Sequence, residues 1–571
     1  MKKRKPFITI LVIILVLVTA YILFLEYHNI KKESNDNLDW SGYTKEIIDL
    51  NNISKNNKLD NIDLSDDKIT IKESGIYEFT GTFTGTIEVK AKDGNVNIIL
   101  NGVTLTSQNG PAIYISSAKK VLLTIDSENK ITDTDKYSID SLNGTIYSES
   151  ELQIDGDGIL NLTANYEDGI VSKSNLNIKD VTLNITSKDD AIRGKNSVII
   201  ENANITINAK GDGIKATNDE DDTLGYIYIK NGTFNITATN NAIESENYLK
   251  IEDGNFKITT GGGSENTSRF KTESTLSAKG LKAQKEITIT SGTFEIDSLD
   301  DAIHSNQTIN IIAGEFNITS GDDGIHADDT LKIDGGNINI KNSYEGLEAA
   351  NIYINAGDIK VSSTDDGINA ASSSENTEDE FRRDNFKSST GYLSIKGGNI
   401  YVNASGDGID SNGDIDMTGG ILLVDGPISS GDGAIDYDGT FNISGGTLIA
   451  VGSAGMDESP SSSSTQYILH INTTNKNANT NITLVDKDNN EIINYSPSKE
   501  YSSIVISTPD LQKDNNYTLK IDDNTEASIT VSEIITNYGT RTTMNMGGGP
   551  GFNMRERRWH IEIIKIINKN N

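Results

Sequence analysis

Asp322-Asp323-Gly324-Ile325-His326-Ala327 is followed by Glu345-Gly346-Leu347-Glu348-Ala349 and then by Asp365-Asp366-Gly367-Ile368-Asn369-Ala370. The apolar residue of this phrase steps through 303, 325, 347 and 368, and upstream through 170, 192 and 214, a unit of about 22 residues. A fixed period of this size marks a stacked repeat architecture. Further copies are Asp168-Gly169-Ile170, Asp190-Ala191-Ile192, Asp212-Gly213-Ile214, Asn241-Ala242-Ile243, Lys279-Gly280-Leu281, Asp301-Ala302-Ile303 and Asp407-Gly408-Ile409. Weaker ones sit at Pro111-Ala112-Ile113, Thr145-Ile146, Gly433-Ala434-Ile435 and Gly455-Met456.

Each unit carries a second phrase in which apolar and polar residues alternate, such as Leu331-Lys332-Ile333 with Gly335-Gly336-Asn337-Ile338-Asn339-Ile340. Strict alternation marks strands with one face inward. Three short strands separated by Gly, Asn and Asp turns make a triangular coil, and each strand pairs with its copy one coil on. The fold expected is all-β, a parallel β-helix of about fourteen 22-residue coils over residues 66–462, right-handed because crossovers between parallel strands are. The period breaks at 217–224, 261–277 and 371–391, where polar insertions would wall a groove along the Asp-Gly-Ile strand. From 463 to 532 the runs Ile468–Ile471, Ile482–Val485, Ser503–Ile506 and Tyr517–Ile521 predict a small antiparallel cap or sandwich, and 533–571 a Gly-rich linker with a basic, apolar tail.

The chain has 571 residues, with 50 Lys and Arg against 83 Asp and Glu, a net charge of −33. That balance excludes nucleic acid as a partner, because affinity there comes from counterions displaced by Lys and Arg. Hydrophobic residues are only 35%, with Gly 51 and Pro 7, which fits a thin repetitive β-structure better than a thick core. Cysteine is absent, so disulfides and thiolate metal sites are excluded. Lys2-Lys3-Arg4-Lys5 precedes the apolar run Phe7–Leu25, whose length of about 28 Å as a helix suffices to span a bilayer. The basic flank places it inside. Residues 1–26 are therefore expected to be a transmembrane anchor and 27–65 a spacer, leaving a single-pass cell-membrane protein, monomeric, with its bulk extracellular; a cleaved signal peptide is the rival reading, against which the run is long and Leu17-Val18-Thr19-Ala20-Tyr21 a poor cleavage site.

In the repeated phrase the third position is apolar and inward, so the next points outward and forms a ladder: Val171, Arg193, Lys215, Glu244, Lys282, His304, His326, Glu348, Asn369 and Asp410. Beside it lie the acidic pairs Asp300-Asp301, Asp322-Asp323 and Asp365-Asp366, with Glu345 between. Carboxylates on neighbouring coils oppose one another and demand protons or a cation. Oxygen donors without Cys favour Ca²⁺. The expected metal ligands are Asp300, Asp301, Asp322, Asp323, Glu345, Glu348, Asp365 and Asp366. Asp at tight turns also has a structural use, since its side chain caps nearby backbone amides.

The run from Asp322 to Ala370, including Ser343-Tyr344-Glu345, resembles a bacterial cell-surface family of carbohydrate-binding β-helix proteins, itself similar in fold to pectate lyases. Gly75-Ile76-Tyr77-Glu78-Phe79-Thr80-Gly81, Ile98–Val103, Gly211–Lys215, Ser496–Ser503 and Ser507–Leu511 carry the likeness over about residues 60–530. The resemblance implies Ca²⁺ and binding of plant cell-wall polysaccharide, cellulose or acidic polymers such as polygalacturonate. Expected sugar contacts are Arg193, Lys215, His304, His326, Tyr344, Glu348 and Asn369. The alternative is a Ca²⁺-dependent lyase, in which Lys215, Arg193, Lys282, His304 or His326 would remove the proton α to a carboxylate. A structural or adhesive rod is the third possibility.

Overall fold

The computed structural model describes residues 40–53, 61–266, 277–372 and 391–540. These form fifty strands and no helix, forty-six of the strands joined in one continuous, mainly parallel sheet. The expected anchor at Phe7–Leu25 and the tail from 541 onward lie outside the described residues. Among the described residues no helix is long and apolar enough to cross a membrane.

The strand pairing is that of a β-helix. Along the body of the sheet each strand pairs in parallel with its equivalent one coil on, as in Ile170↔Ile192, Leu176↔Val198 and Leu183↔Ile205. The apolar residue of the repeated phrase forms one column in register from Ile87 through Ile113, Ile146, Ile170, Ile192, Ile214, Ile243, Leu281, Ile303, Ile325, Leu347 and Ile368 to Ile409. Asp436–Tyr437 adds one further level, pairing with Asp410–Ser411. All thirteen side chains of the column are fully buried.

On the third strand of the coil, Phe234, Phe256, Phe294 and Phe316 stand in register inside the rod. Their rings lie 4.6–4.7 Å apart and within 3° of parallel. That spacing is the interstrand distance of a sheet, so one rotamer repeated on each coil gives an aromatic stack at no extra cost in fit. The turn before this strand is held by glycines such as Gly336 and Gly357, at φ +99° and +115°. A Cβ there would meet the carbonyl oxygen of the coil below at 3.0 and 3.1 Å.

Both ends of the solenoid are covered, and both covers extend beyond the boundaries expected from sequence. Part of the expected spacer is folded. Lys45–Asp49 pairs in parallel with Ile76–Thr80, Ile62–Leu64 pairs antiparallel with Ile69–Ile71, and Ile48 and Leu50 are buried against the first coil. An open solenoid end exposes a strand edge and apolar core, which is why polar-looking flanks fold over it. At the other end Tyr501–Ser507 pairs antiparallel with Thr447–Gly452 and with Ile468–Lys476, and Ile535–Tyr538 adds a strand within the expected linker. A separate antiparallel sheet, in the order Glu491–Tyr495, Ile482–Val485, Asn516–Ile521 and Asn524–Thr530, completes the cap.

Besides this strand pairing, a buried carboxylate fastens the cap to the rod. Asp425 accepts hydrogen bonds from Tyr401 Oη at 2.9 Å, Tyr495 Oη at 2.5 Å, and Ser498 N and Oγ at 2.7 and 2.6 Å. Beside it the Lys499 ammonium donates to the carbonyl oxygens of Ala404 and Gly426. Burial pushes that ammonium down to about 8.

Candidate functional site

The outward ladder stands in the register expected. Val171, Arg193, Lys215, Glu244, Lys282, His304, His326, Glu348, Asn369 and Asp410 are consecutive partners across nine strand pairs. It continues where the phrase weakens, with Tyr114 and Tyr147 below Val171 and Asp436 above Asp410. The weaker copies at Ile113, Ile146 and Ile435 carried that signal.

The corner acids beside the ladder have a structural task. Asp168 Oδ1 accepts the amide of Asp190, Asp190 Oδ1 that of Asp212, and Asp212 Oδ1 that of Asn241, at 2.8–3.0 Å. The same bond runs from Asp301 to the amide of Asp323, from Asp323 to Glu345, from Asp366 to Asp407 and from Asp407 to Gly433. Each carboxylate thus ties one coil to the next by satisfying an amide that the tight corner leaves unpaired. One oxygen per corner is committed; the other faces the ladder.

What those second oxygens meet divides the ladder into two parts. In the lower part they meet cations. Arg193 Nη2 lies 2.5 Å from Asp168, and Lys215 Nζ bridges Asp212 and Glu244 at 2.6 and 2.9 Å. Lys282 adds a 2.8 Å contact to Glu244. Against the upward push of burial, Lys215 and Lys282 hold Glu244 down at about 2. Lys279, standing where other copies have an acid, reaches Asp300 and Asp301 at 2.8 and 2.6 Å. The cation that the Asp300-Asp301 pair demands is therefore already supplied by the chain. His304 Nδ1 lies 2.8 Å from Asp301, and His326 Nδ1 3.2 Å from Asp323 and 3.3 Å from Glu348.

Above His326 the compensation stops. Among the described residues no Lys or Arg pairs with Glu345, Glu348, Asp366, Asp407, Asp410 or Asp436. Burial, with Glu348 and Asp323 adding repulsion, raises Glu345 to about 9. Glu348 is raised to about 8 by burial and neighbouring acids, against the pull of His326. Burial and like charges raise Asp366, Asp407 and Asp410 to about 7 each. Asp322 is raised to about 8 by burial with Asp301 and Asp323 nearby. One oxygen from each of Asp366, Asp407 and Asp410 lies within 4.8 Å of the others. Asn369, between Glu348 and Asp410 in the ladder, gives its Nδ2 to Glu345 at 2.9 Å. Its Oδ1 is buried with no hydrogen-bond partner. Carboxylate oxygens and an orphaned amide oxygen are the donor set of a hard divalent cation, so these residues fit Ca²⁺. Asp365 and the exposed Tyr344 form the rim, burial and the Asp365 carboxylate holding the Tyr344 phenol above its ordinary value.

The excess of protons held by this acidic segment has a consequence for stability. Unfolded carboxyls lose their protons near pH 4, whereas these keep them to about 7–9 in the folded chain. The folded state then binds more protons than the unfolded state, so stability falls as pH rises from about 4 to 9. In chelator-treated protein the melting temperature is expected to decline across that window, and Ca²⁺ to flatten the decline. A melting temperature that rises with pH would contradict this account.

Two of the five candidate bases, Lys215 and His326, are a poor match to proton abstraction. Burial pushes Lys215 down, but Asp212 and Glu244 outweigh it and hold the ammonium above its ordinary value. Against burial, hydrogen bonds to Asp323 and Asp328 with the charges of Asp301 and Glu348 raise His326 to about 11. A group held protonated has no lone pair to offer as a base. Lys215→Ala is expected to cost about 1–3 kcal/mol by leaving Asp212 without its cation and Glu244 with Lys282 alone, which urea denaturation would read. Loss of an unsaturated sugar product at unchanged stability would instead make Lys215 a base.

Residues 65–324 and 323–490 match the family described as carbohydrate-binding domain-containing protein. The chain belongs to that family. A carbohydrate-binding domain-containing protein of Acetivibrio thermocellus is 32% identical over 143 residues, 24% of this chain and 50% of that protein. The chain thus spans about half the length of the curated relative it matches. A solved structure of the polysaccharide lyase-like protein from C. thermocellum, a gadolinium derivative, is 31% identical, with a TM-score of 0.36 over 38% of this chain and 91% of that one.

Proposed function

We propose that this chain binds extended plant cell-wall-type polysaccharide at the outer face of the cell membrane, anchored by Phe7–Leu25, with Ca²⁺ held at the acidic end of the ladder. The observation that carries the reading is the change within one column from acids paired with Lys, Arg and His to acids that have no Lys or Arg partner among the described residues. Asp366, Asp407, Asp410 and Asn369 would hold the ion, with Glu345 and Glu348 beside it. Bound Ca²⁺ would join protein carboxylates to the carboxylates of an acidic polymer, which removes the repulsion between a uronate chain and a protein of net charge −33. Tyr344, 45% exposed on the rim, offers an aromatic face to a sugar ring, and a straight rod suits a straight polymer. Membership of the carbohydrate-binding domain family supports the polysaccharide partner.

The test is to incubate the chain with polygalacturonate and with cellulose, with and without Ca²⁺, following both retention and absorbance of unsaturated product. Retention of polygalacturonate that needs Ca²⁺, with no rise in absorbance, supports binding. A rise in absorbance establishes a lyase, and no retention of either polymer removes the reading.

A further inference from the structure

The ladder contains two of the five histidines in the chain, on consecutive coils, with their rings 4.9 Å apart and edge to face. Both take part in the ion pairing of the column, His304 with Asp301 and His326 with Asp323 and Glu348. Both present Nδ1 to the corner acids and turn Nε2 away. His304 Nε2 lies 3.0 Å from Asn306 Oδ1, while Asn306 Nδ2 donates to Gln284 Oε1 at 2.7 Å. An amide oxygen only accepts, so Nε2 carries the hydrogen and, in the neutral ring, Nδ1 carries the lone pair. His304 Nδ1 lies buried 2.8 Å from Asp301 Oδ2, an oxygen that Lys279 Nζ also reaches at 2.6 Å. A neutral His304 ring would set its Nδ1 lone pair against that carboxylate oxygen, and either a proton on Nδ1 or a metal ion between the two relieves the opposition. One coil on, His326 Nε2 lies 3.4 Å from Asp328, and Nδ1 lies 3.2 Å from Asp323, 3.3 Å from Glu348 and 3.8 Å from Asp301. Ring nitrogens oriented by an oxygen acceptor on their far side are the usual setting of a metal-bound imidazole.

We infer that His304 and His326, with Asp301 and Glu348, form a site for a divalent transition-metal ion of the Zn²⁺ class. Zn–N and Zn–O bonds of about 2.0–2.1 Å place tetrahedral ligands about 3.3 Å apart. The separations of 2.8, 3.8 and 3.3 Å among these donors bracket that value. Asp301, His304 and His326 form one triad whose donor atoms all lie within 4.8 Å of one another; Asp323, His326 and Glu348 form a second that shares His326. Charge permits a dication, since Lys279 serves Asp300 and Asp301 while Asp323 and Glu348 pair, among the described residues, only with His326. Imidazole donors select against Ca²⁺. This site is therefore distinct in chemistry from the all-oxygen cluster at Asp366, and it stands whether or not the proposed polymer is bound.

The full-length chain, in detergent and stripped with chelator, would be titrated with Zn²⁺ and Co²⁺ in the presence of excess Ca²⁺. The expected result is binding that Ca²⁺ does not displace, with the visible d–d absorption of four-coordinate Co²⁺. His304→Gln and His326→Gln should each weaken binding at least tenfold and remove that absorption, while His470→Gln, in the cap, retains it. Circular dichroism of each variant separates lost ligation from lost fold, and the Co²⁺ spectrum of the unaltered chain needs no variant at all. Absence of the Co²⁺ absorption, displacement by Ca²⁺, or Zn²⁺ affinity unchanged in both variants would overturn the site. Failure to retain polysaccharide would leave it untouched.

Discussion

Replacing Asp366 and Asp410 together by Asn is expected to lower Ca²⁺ affinity by about 100-fold or more and to abolish the Ca²⁺-dependent part of polysaccharide retention. The substitution removes two of three clustered carboxylates while preserving shape, and Ca²⁺ affinity follows the charge count of its ligands. Asn keeps an oxygen at position 366, so the 2.7 Å bond that caps the amide of Asp407 survives. Asp190→Asn is the control: it keeps its own 2.9 Å cap to the amide of Asp212 and lies in the part of the ladder served by Arg193 and Lys215. Calorimetric titration with Ca²⁺ and polygalacturonate pull-down would be run on both. Equal losses in the two variants would mean that the corner acids are scaffold and that the polymer docks elsewhere. Unchanged Ca²⁺ affinity in the double variant would remove the ion from this cluster.

The ladder was legible because the register of a solenoid follows from its period alone. Once Ile325, Leu347 and Ile368 are aligned, His326, Glu348 and Asn369 must be neighbours, and they are. What those neighbours do to one another is not written in the period. Lys215 reaches down to Asp212 in its own coil and up to Glu244 in the next, and Lys279 neutralises a pair 21 and 22 residues away. Such reach depends on side-chain length and direction across coils, including coils separated by insertions. The Lys at 279, in a place that other copies give to an acid, was nevertheless a visible sign that the acids above it were compensated. The doubled Asp at the corners suggests a demand for metal, yet one member of each pair, Asp301, Asp323 and Asp366, is occupied in capping. The end covers were hidden for a different reason. Lys45–Asp49 and Ile535–Tyr538 are single strands outside the repeat, and only the exposed edges they pair with make them fold.

Phe294→Ala is expected to destabilise the rod by about 3–5 kcal/mol, the usual combined loss of transfer energy and cavity for a buried Phe. Phe294 is fully buried between Phe256 and Phe316, with ring centroids 4.7 Å away on each side. Removing it takes away the stacking partner of both, so neither neighbour can refill the space without abandoning its own stack. In a solenoid each coil touches only the coils beside it, and cooperativity passes through those interfaces. A hole in one coil therefore weakens the coupling between the halves on either side as well as the coil itself. Urea denaturation followed by circular dichroism should show an earlier first transition and a broadened or biphasic curve, where Phe294→Leu gives a shift of about 1 kcal/mol and one transition. The affected coil carries Lys282, and the next carries His304, so the histidine pair should lose its fixed geometry in the same step. A Phe294→Ala curve that overlays the parent would show that the stack follows from the repeat without helping to hold it.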